Sequence, residues 1–219
     1  MKGEQTLFDN VKEVQMASLE TIEALPFHLD MVAGTLSKPR FAEYLVQDLL
    51  YLRVLEPLLL QLSRLANSKE DEAFLRTIAK ATLVAEELTR KELLEQLNEV
   101  SSSDATMLPY CSHYLSHLEA SISSGWLAGL AAILPCFSLY SLLGARLVLA
   151  DENPYAKWLA NYTDPLFASQ TATLWQMAEA AYQLADSGQR AEAALAFTTS
   201  AKHEVMFFRG SDVEYIIWS

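Results

Sequence analysis

From Ala120 to Ala145 the chain carries no charged side chain, a run longer than the roughly 20 residues that a helix needs to cross a bilayer. Such a helix has two destinations: lipid, or the centre of a bundle whose other helices cover it on every side. Ser121, Ser123, Ser124, Gly125, Pro135, Ser138 and Ser141 interrupt the run, and its flanks lack the basic asymmetry that sets membrane topology. It therefore reads as the buried central helix of an all-α bundle, with no membrane as partner. The rest of the chain can supply the covering layer, since 51% of its 219 residues are hydrophobic and only 7 are glycine and 7 proline. That balance excludes disordered, collagen-like and low-complexity classes. A single domain spanning 1–219 would bury about 70% of its unfolded surface.

Periodicity supports helices almost throughout. Leu7, Val11, Val14, Leu19, Ile22 and Leu25 recur at helical spacing until Pro26. Gly34 ends a short segment, and Ser37-Lys38-Pro39 starts a long apolar helix to about Ala66, in which Pro57 predicts a kink. Lys69-Glu70-Asp71 opens a helix to about Val100, and Ser101 to Asp104 reads as loop. A further helix is expected from about Ala105 to Ser123, with Pro109 in its early turns, and then the uncharged helix from Gly125. Asp151-Glu152-Asn153-Pro154 breaks the chain before a short helix to Tyr162. Asp164-Pro165 opens another to about Asp186, and the last spans about Arg190 to Arg209.

Charge narrows the function. With 28 acidic and 16 basic side chains the formal charge is -12, which argues against a protein that neutralises nucleic-acid phosphates. Cys111 and Cys136 are too few for a disulfide framework and suggest a reduced, cytoplasmic protein. Met1 to Asn10 has no apolar core of a targeting signal, so none is expected.

Candidate chemistry lies where polar groups interrupt apolar helices. Asp48 sits in Tyr44-Leu45-Val46-Gln47-Asp48-Leu49-Leu50-Tyr51-Leu52, with Tyr51 on the same face, where a carboxylate is costly unless paired or solvated. Cys136 follows Pro135, which deprives the Ala131 carbonyl of its helical donor, and Tyr140 lies one turn on. Glu204 is followed by Val205-Met206-Phe207-Phe208, so partial desolvation would raise its pKa toward that of a proton shuttle. Each has a plain alternative: Asp48 on an outer face near Arg53, Cys136 as a core thiol, Glu204 exposed beside Lys202 and His203. Tyr110, Tyr114 and Tyr162 fit either a pocket or ordinary packing. His113 and His117 are four apart, but the carboxylate pattern of di-iron bundles is missing, and no metal is expected.

The order and spacing of several segments resemble the TenA family, also called thiaminase II or aminopyrimidine aminohydrolase. They are Pro26-Phe27, Gly34-Thr35-Leu36, Phe41-x-x-Tyr44-Leu45-x-Gln47-Asp48-x-x-Tyr51-Leu52, Tyr110-x-Ser112-His113, Leu134-Pro135-Cys136-x-x-x-Tyr140, Pro154-Tyr155-x-x-Trp158, and Glu204 before Phe208. The resemblance implies a heme-oxygenase-like all-helical bundle, usually a homotetramer, that needs no cofactor. It implies hydrolysis of the exocyclic C–N bond of 4-amino-5-aminomethyl-2-methylpyrimidine, with thiamin as a second candidate substrate. By the same resemblance Cys136 matches the nucleophile and Glu204 the general acid/base. Asp48 matches the carboxylate that grips the aminopyrimidine, and Tyr51, Tyr110, Tyr140 and Tyr162 the aromatic residues around it. The chain departs from the family at His203, Val205 and Phe208 around Glu204, at Leu142, and at Arg90. Two other readings stay open on sequence: an oxidase or oxygenase on the same fold using iron, haem or a quinone precursor, and a non-catalytic binding or regulatory protein. The apolar tail Val213-Glu214-Tyr215-Ile216-Ile217-Trp218 suits either an interface in a tetramer or dimer or the protein's own core.

Overall fold

The computed structural model describes residues 6–97, 105–150 and 152–210. The loop expected at Ser101 to Asp104, the tail from Val213 to Trp218 and the side chain of Arg90 lie outside the described residues. Among the described residues there are nine α-helices and no strand. They are α1 (Leu7–Glu23), α2 (Pro26–Ala33), α3 (Lys38–Ser63), α4 (Lys69–Leu97), α5 (Pro109–Ser124), α6 (Trp126–Arg146), α7 (Ala156–Leu159), α8 (Pro165–Leu184) and α9 (Ser187–Gly210), with a 3-10 turn over Ala160–Thr163.

The charge-free run takes in the end of α5 and, after Gly125, all of α6 but its last residue, and α6 lies at the centre, packed by α9, α8, α5 and α1. Of its most apolar stretch, 78% is buried by the chain itself, which accounts for its composition without lipid. Leu130, Ala131, Ala132, Ile133, Leu134 and Leu139 are fully buried, each larger side chain contributing about 1.5–3 kcal/mol on leaving water. The helix continues through Pro135, as α3 does through Pro57. α3 packs chiefly on α4, and α1 on α9.

The helix ends follow local chemistry. Thr6 and Asp9 form a reciprocal capping box at α1, while Glu179 of α8 accepts from the backbone N–H groups of Leu7 at 2.9 Å and Phe8 at 2.8 Å. Those donors have no intrahelical partner, so a carboxylate there satisfies both hydrogen bonding and the helix dipole. Gly34 ends α2 in the left-handed conformation at φ 74°, where a Cβ would be strained. Asn153 donates to the carbonyls of Met31 and Val32 and thereby ties the loop before α7 to α2.

Three boundaries differ from expectation. Pro26 opens α2 as well as ending α1, because a ring without an N–H costs nothing in a first turn. Pro109 likewise begins α5, and the stretch from Ala105 to Leu108 is not helical. The Gln47 side chain holds it by donating to the Thr106 carbonyl at 3.1 Å and accepting from the Leu108 N–H at 2.9 Å. The last helix begins at Ser187, earlier than the spacing suggested.

Candidate active site

Asp48 and Tyr51 lie on α3, Cys136 and Tyr140 on α6, Tyr162 on the 3-10 turn and Glu204 on α9, and all six line one cavity of about 290 Å3. α4 contributes Thr82 and Thr89, α5 contributes Tyr114, α7 contributes Trp158, and α8 contributes Phe167 and Gln170. The cavity exists because helices and a turn converge here with their apolar faces on one another and a few polar side chains pointing inward. Behind it stands an aromatic wall. The fully buried Tyr44 lies 5.0 Å from Phe27 and 5.5 Å from Trp158, ring centre to centre, and its hydroxyl is 3.0 Å from that of Tyr140.

Tyr110 is not among the residues that line the cavity. It packs edge-on against Phe207 at 5.4 Å and against Gly210, where a Cβ would run into its ring. Tyr114, one turn along α5, stands at the cavity instead. Four residues shift a side chain by about 6 Å along a helix axis, which moves it from the end of α9 to the level of Glu204. Both tyrosines occupy the same face of α5, so sequence periodicity could not separate them.

Burial governs the titration of the polar groups. Glu204 is 2% exposed and accepts from the Tyr114 hydroxyl at 2.7 Å. Desolvation pushes its carboxyl up to about 8, against the downward pull of Tyr114 and with a smaller upward push from Asp48. Asp48 is pushed up to about 7 by desolvation, opposed by the Thr89 hydroxyl, which donates to it at 3.4 Å. The half-buried Cys136 thiol is driven well above its ordinary range, first by desolvation and next by Glu204. Tyr51 pulls the thiol the other way, and its buried hydroxyl also acts on that of Tyr114. Near neutral pH the thiol is therefore protonated, while Asp48 and Glu204 sit close to the pH at which each exchanges its proton, and a phenol stands beside the sulfur. A group of this kind can stabilise a thiolate as it forms.

Two further residues shape the site and carried no sequence signal of chemistry. His203 stacks nearly parallel on the Tyr114 ring at 5.2 Å, and desolvation, then His117 and His113, lower its pKa to about 4. A neutral imidazole thus backs the phenol that holds Glu204. Gly144 lets the 3-10 turn approach α6, because a Cβ there would meet the Tyr162 carbonyl. Gly144→Ala is expected to cost about 1–3 kcal/mol by overpacking and to displace Tyr162 from the cavity wall, as thermal melting and ligand titration would read.

Among the described residues no group of three His, Cys, Asp or Glu is placed to hold a metal. His117 meets the Ala196 carbonyl at 3.1 Å through Nε2, and its ring lies 5.6 Å from that of His203.

Comparisons with known proteins bear on the fold and the family. A TenA homologue from Pyrococcus horikoshii superposes with a TM-score of 0.82 at 22% identity over 94% of this chain and 98% of that one. A homologue from Pyrococcus furiosus gives 0.83 at 16% identity over 94% and 97%. Both establish the fold, the heme-oxygenase-like all-α bundle. In sequence the chain is 31% identical over 151 residues to the aminopyrimidine aminohydrolase of Bacillus subtilis, covering 66% of this chain and 64% of the relative. It is 32% identical over 178 residues to the thiamine biosynthesis multifunctional protein ThiED of Corynebacterium glutamicum, covering 80% of this chain and 23% of the relative. The chain thus spans about a quarter of the length of that relative and less than two thirds of the Bacillus one. The TENA/THI-4/PQQC family model matches residues 11–214, nearly the full length, and the chain belongs to that family.

Proposed function

We propose that the protein is a C–N hydrolase of thiamin salvage that converts 4-amino-5-aminomethyl-2-methylpyrimidine to its 5-hydroxymethyl counterpart. The observation that carries the reading is the convergence of Asp48, Cys136 and Glu204 on one cavity. The Bacillus and Corynebacterium relatives, named for aminopyrimidine hydrolysis and thiamine biosynthesis, support it.

An aminopyrimidine presents a ring nitrogen and an exocyclic amine side by side. A carboxyl that keeps its proton to about pH 7, as Asp48 does, donates to the nitrogen and accepts from the amine. Tyr51, Tyr140 and Tyr162 supply aromatic surface for the flat ring. The Cys136 sulfur adds to a ring carbon conjugated with the exocyclic methylene as Glu204 takes the thiol proton. The electron pair moves through the ring and expels the amine, which leaves with the proton from Glu204. Water then adds at the methylene and gives a proton to Glu204, and the sulfur departs as thiolate and retakes that proton, which returns both groups to their starting state. The balance is one amine and one water in, one alcohol and one ammonia out.

The same reading makes residues 1–219 one domain of a cytoplasmic homo-oligomer, tetramer or dimer, with no cofactor.

The test is chromatographic detection of the hydroxymethylpyrimidine after incubation with the aminomethyl substrate, with thiamin as a second substrate. Asp48→Ala is expected to raise KM by about 30-fold or more, since it removes both the donor and the acceptor offered to the amidine edge. Absence of product with either substrate would overturn the proposal.

A further inference from the structure

Among the described residues that line the cavity there are three carboxyls, Asp48, Glu204 and Asp164, and no Lys, Arg or His. Asp48 and Glu204 lie deep, on α3 and α9. Asp164 is exposed, at the junction of the 3-10 turn and α8 beside the exposed Leu166, and so marks the mouth. Val84 and Leu88 of α4, about half exposed and apolar, line the same cavity.

A helix N-terminus at a cavity mouth usually attracts anions, because its first N–H groups have no partner and the dipole is positive there. The start of α8 is placed to play that part. It cannot, because the Asp164 carboxylate caps it and accepts from the Leu166 N–H at 2.8 Å. The element that would have welcomed a phosphate is occupied by a fixed negative charge.

We propose that Asp164 acts as a charge filter at the mouth, so that the site takes neutral or cationic aminopyrimidines and turns away their phosphate esters. This rests on the aminopyrimidine reading of the cavity and adds a specificity determinant to it. A phosphate on the hydroxymethyl arm would have to lie either among the deep carboxyls or against Asp164, and among the described residues neither place offers a cation. An ammonium on the same arm meets attraction from Asp164 instead.

The experiment is calorimetric titration of the intact protein with two probes, 4-amino-5-hydroxymethyl-2-methylpyrimidine and its phosphate monoester. The alcohol is expected to bind at least about 100-fold more tightly at low ionic strength. Asp164→Asn keeps an N-cap side chain but removes the charge, and is expected to narrow that ratio by about three- to tenfold, less so at high salt. Gln170→Lys, which adds a cation to the lining without touching the cap, should narrow it further. Equal affinity of the two probes for the unmodified protein would overturn the filter, as would a ratio that neither substitution changes. If neither probe binds, the aminopyrimidine reading itself fails, and that outcome is distinct from the other two.

Discussion

Cys136→Ala is expected to abolish release of the hydroxymethylpyrimidine, with a loss of at least about 1,000-fold, because no other side chain in the cavity can replace a thiol nucleophile. The surroundings of the sulfur explain why the loss should be so complete. Burial, then Glu204, holds the thiol protonated, and only Tyr51 pulls the other way. At rest the thiolate is scarce, and it forms as Glu204 accepts the proton in the reaction itself. Cys136 lines a cavity, so removing its sulfur enlarges an existing space rather than opening a closed void in the core. The melting temperature should therefore change by less than about 3 °C. Unaltered turnover in this variant would sink the covalent mechanism, and circular dichroism alongside the assay would separate lost chemistry from lost fold.

Glu204→Gln should reduce turnover by about 100-fold to 10,000-fold, the usual range for a general acid/base, while making the protein more stable in alkaline solution. The sign follows from where the proton sits. In the unfolded chain the carboxyl ionises near its ordinary value of 4.5, whereas in the folded protein burial delays ionisation to about 8. Between those values the folded state binds the extra proton, so stability falls as pH rises through that window. Below the window both states are protonated and the group is neutral in the balance. Each tenfold difference in proton affinity between the folded and unfolded chain corresponds to about 1.4 kcal/mol. Gln carries no such penalty and can still accept from Tyr114. At pH 8.5 the variant is expected to melt about 5 °C higher than the unmodified protein, with the difference closing toward about pH 5. A constant difference across that range would show that ionisation of Glu204 is not its source. Together the two outcomes describe a side chain kept for activity at the expense of stability.

Much of the site was legible because its polar residues break the patterns around them. A carboxylate in the apolar run about Asp48, a proline before Cys136 and four apolar residues after Glu204 are local anomalies, visible in one dimension. The aromatic residues were less legible. Tyr110 and Tyr114 share a face of α5, and only the depth at which α5 meets α9 puts one at Glu204 and the other at Gly210. Gly144, Thr89, His203 and Asp164 are ordinary helix, cap or turn residues in sequence. Their bearing on the site comes from contacts with α4, α5, α8 and the 3-10 turn that no spacing rule specifies.

The uncharged run from Ala120 to Ala145 allowed lipid or the centre of a bundle, and its serines together with the apolar faces elsewhere in the chain already favoured the bundle. Helix number and most helix ends were likewise local matters, set by caps, prolines and period. The tertiary structure decided what the bundle encloses. Asp48, Cys136 and Glu204 are separated by long stretches of chain, and whether their side chains meet depends on the rotation and depth of each helix. Those are fixed by packing of the whole core rather than by any segment's own sequence.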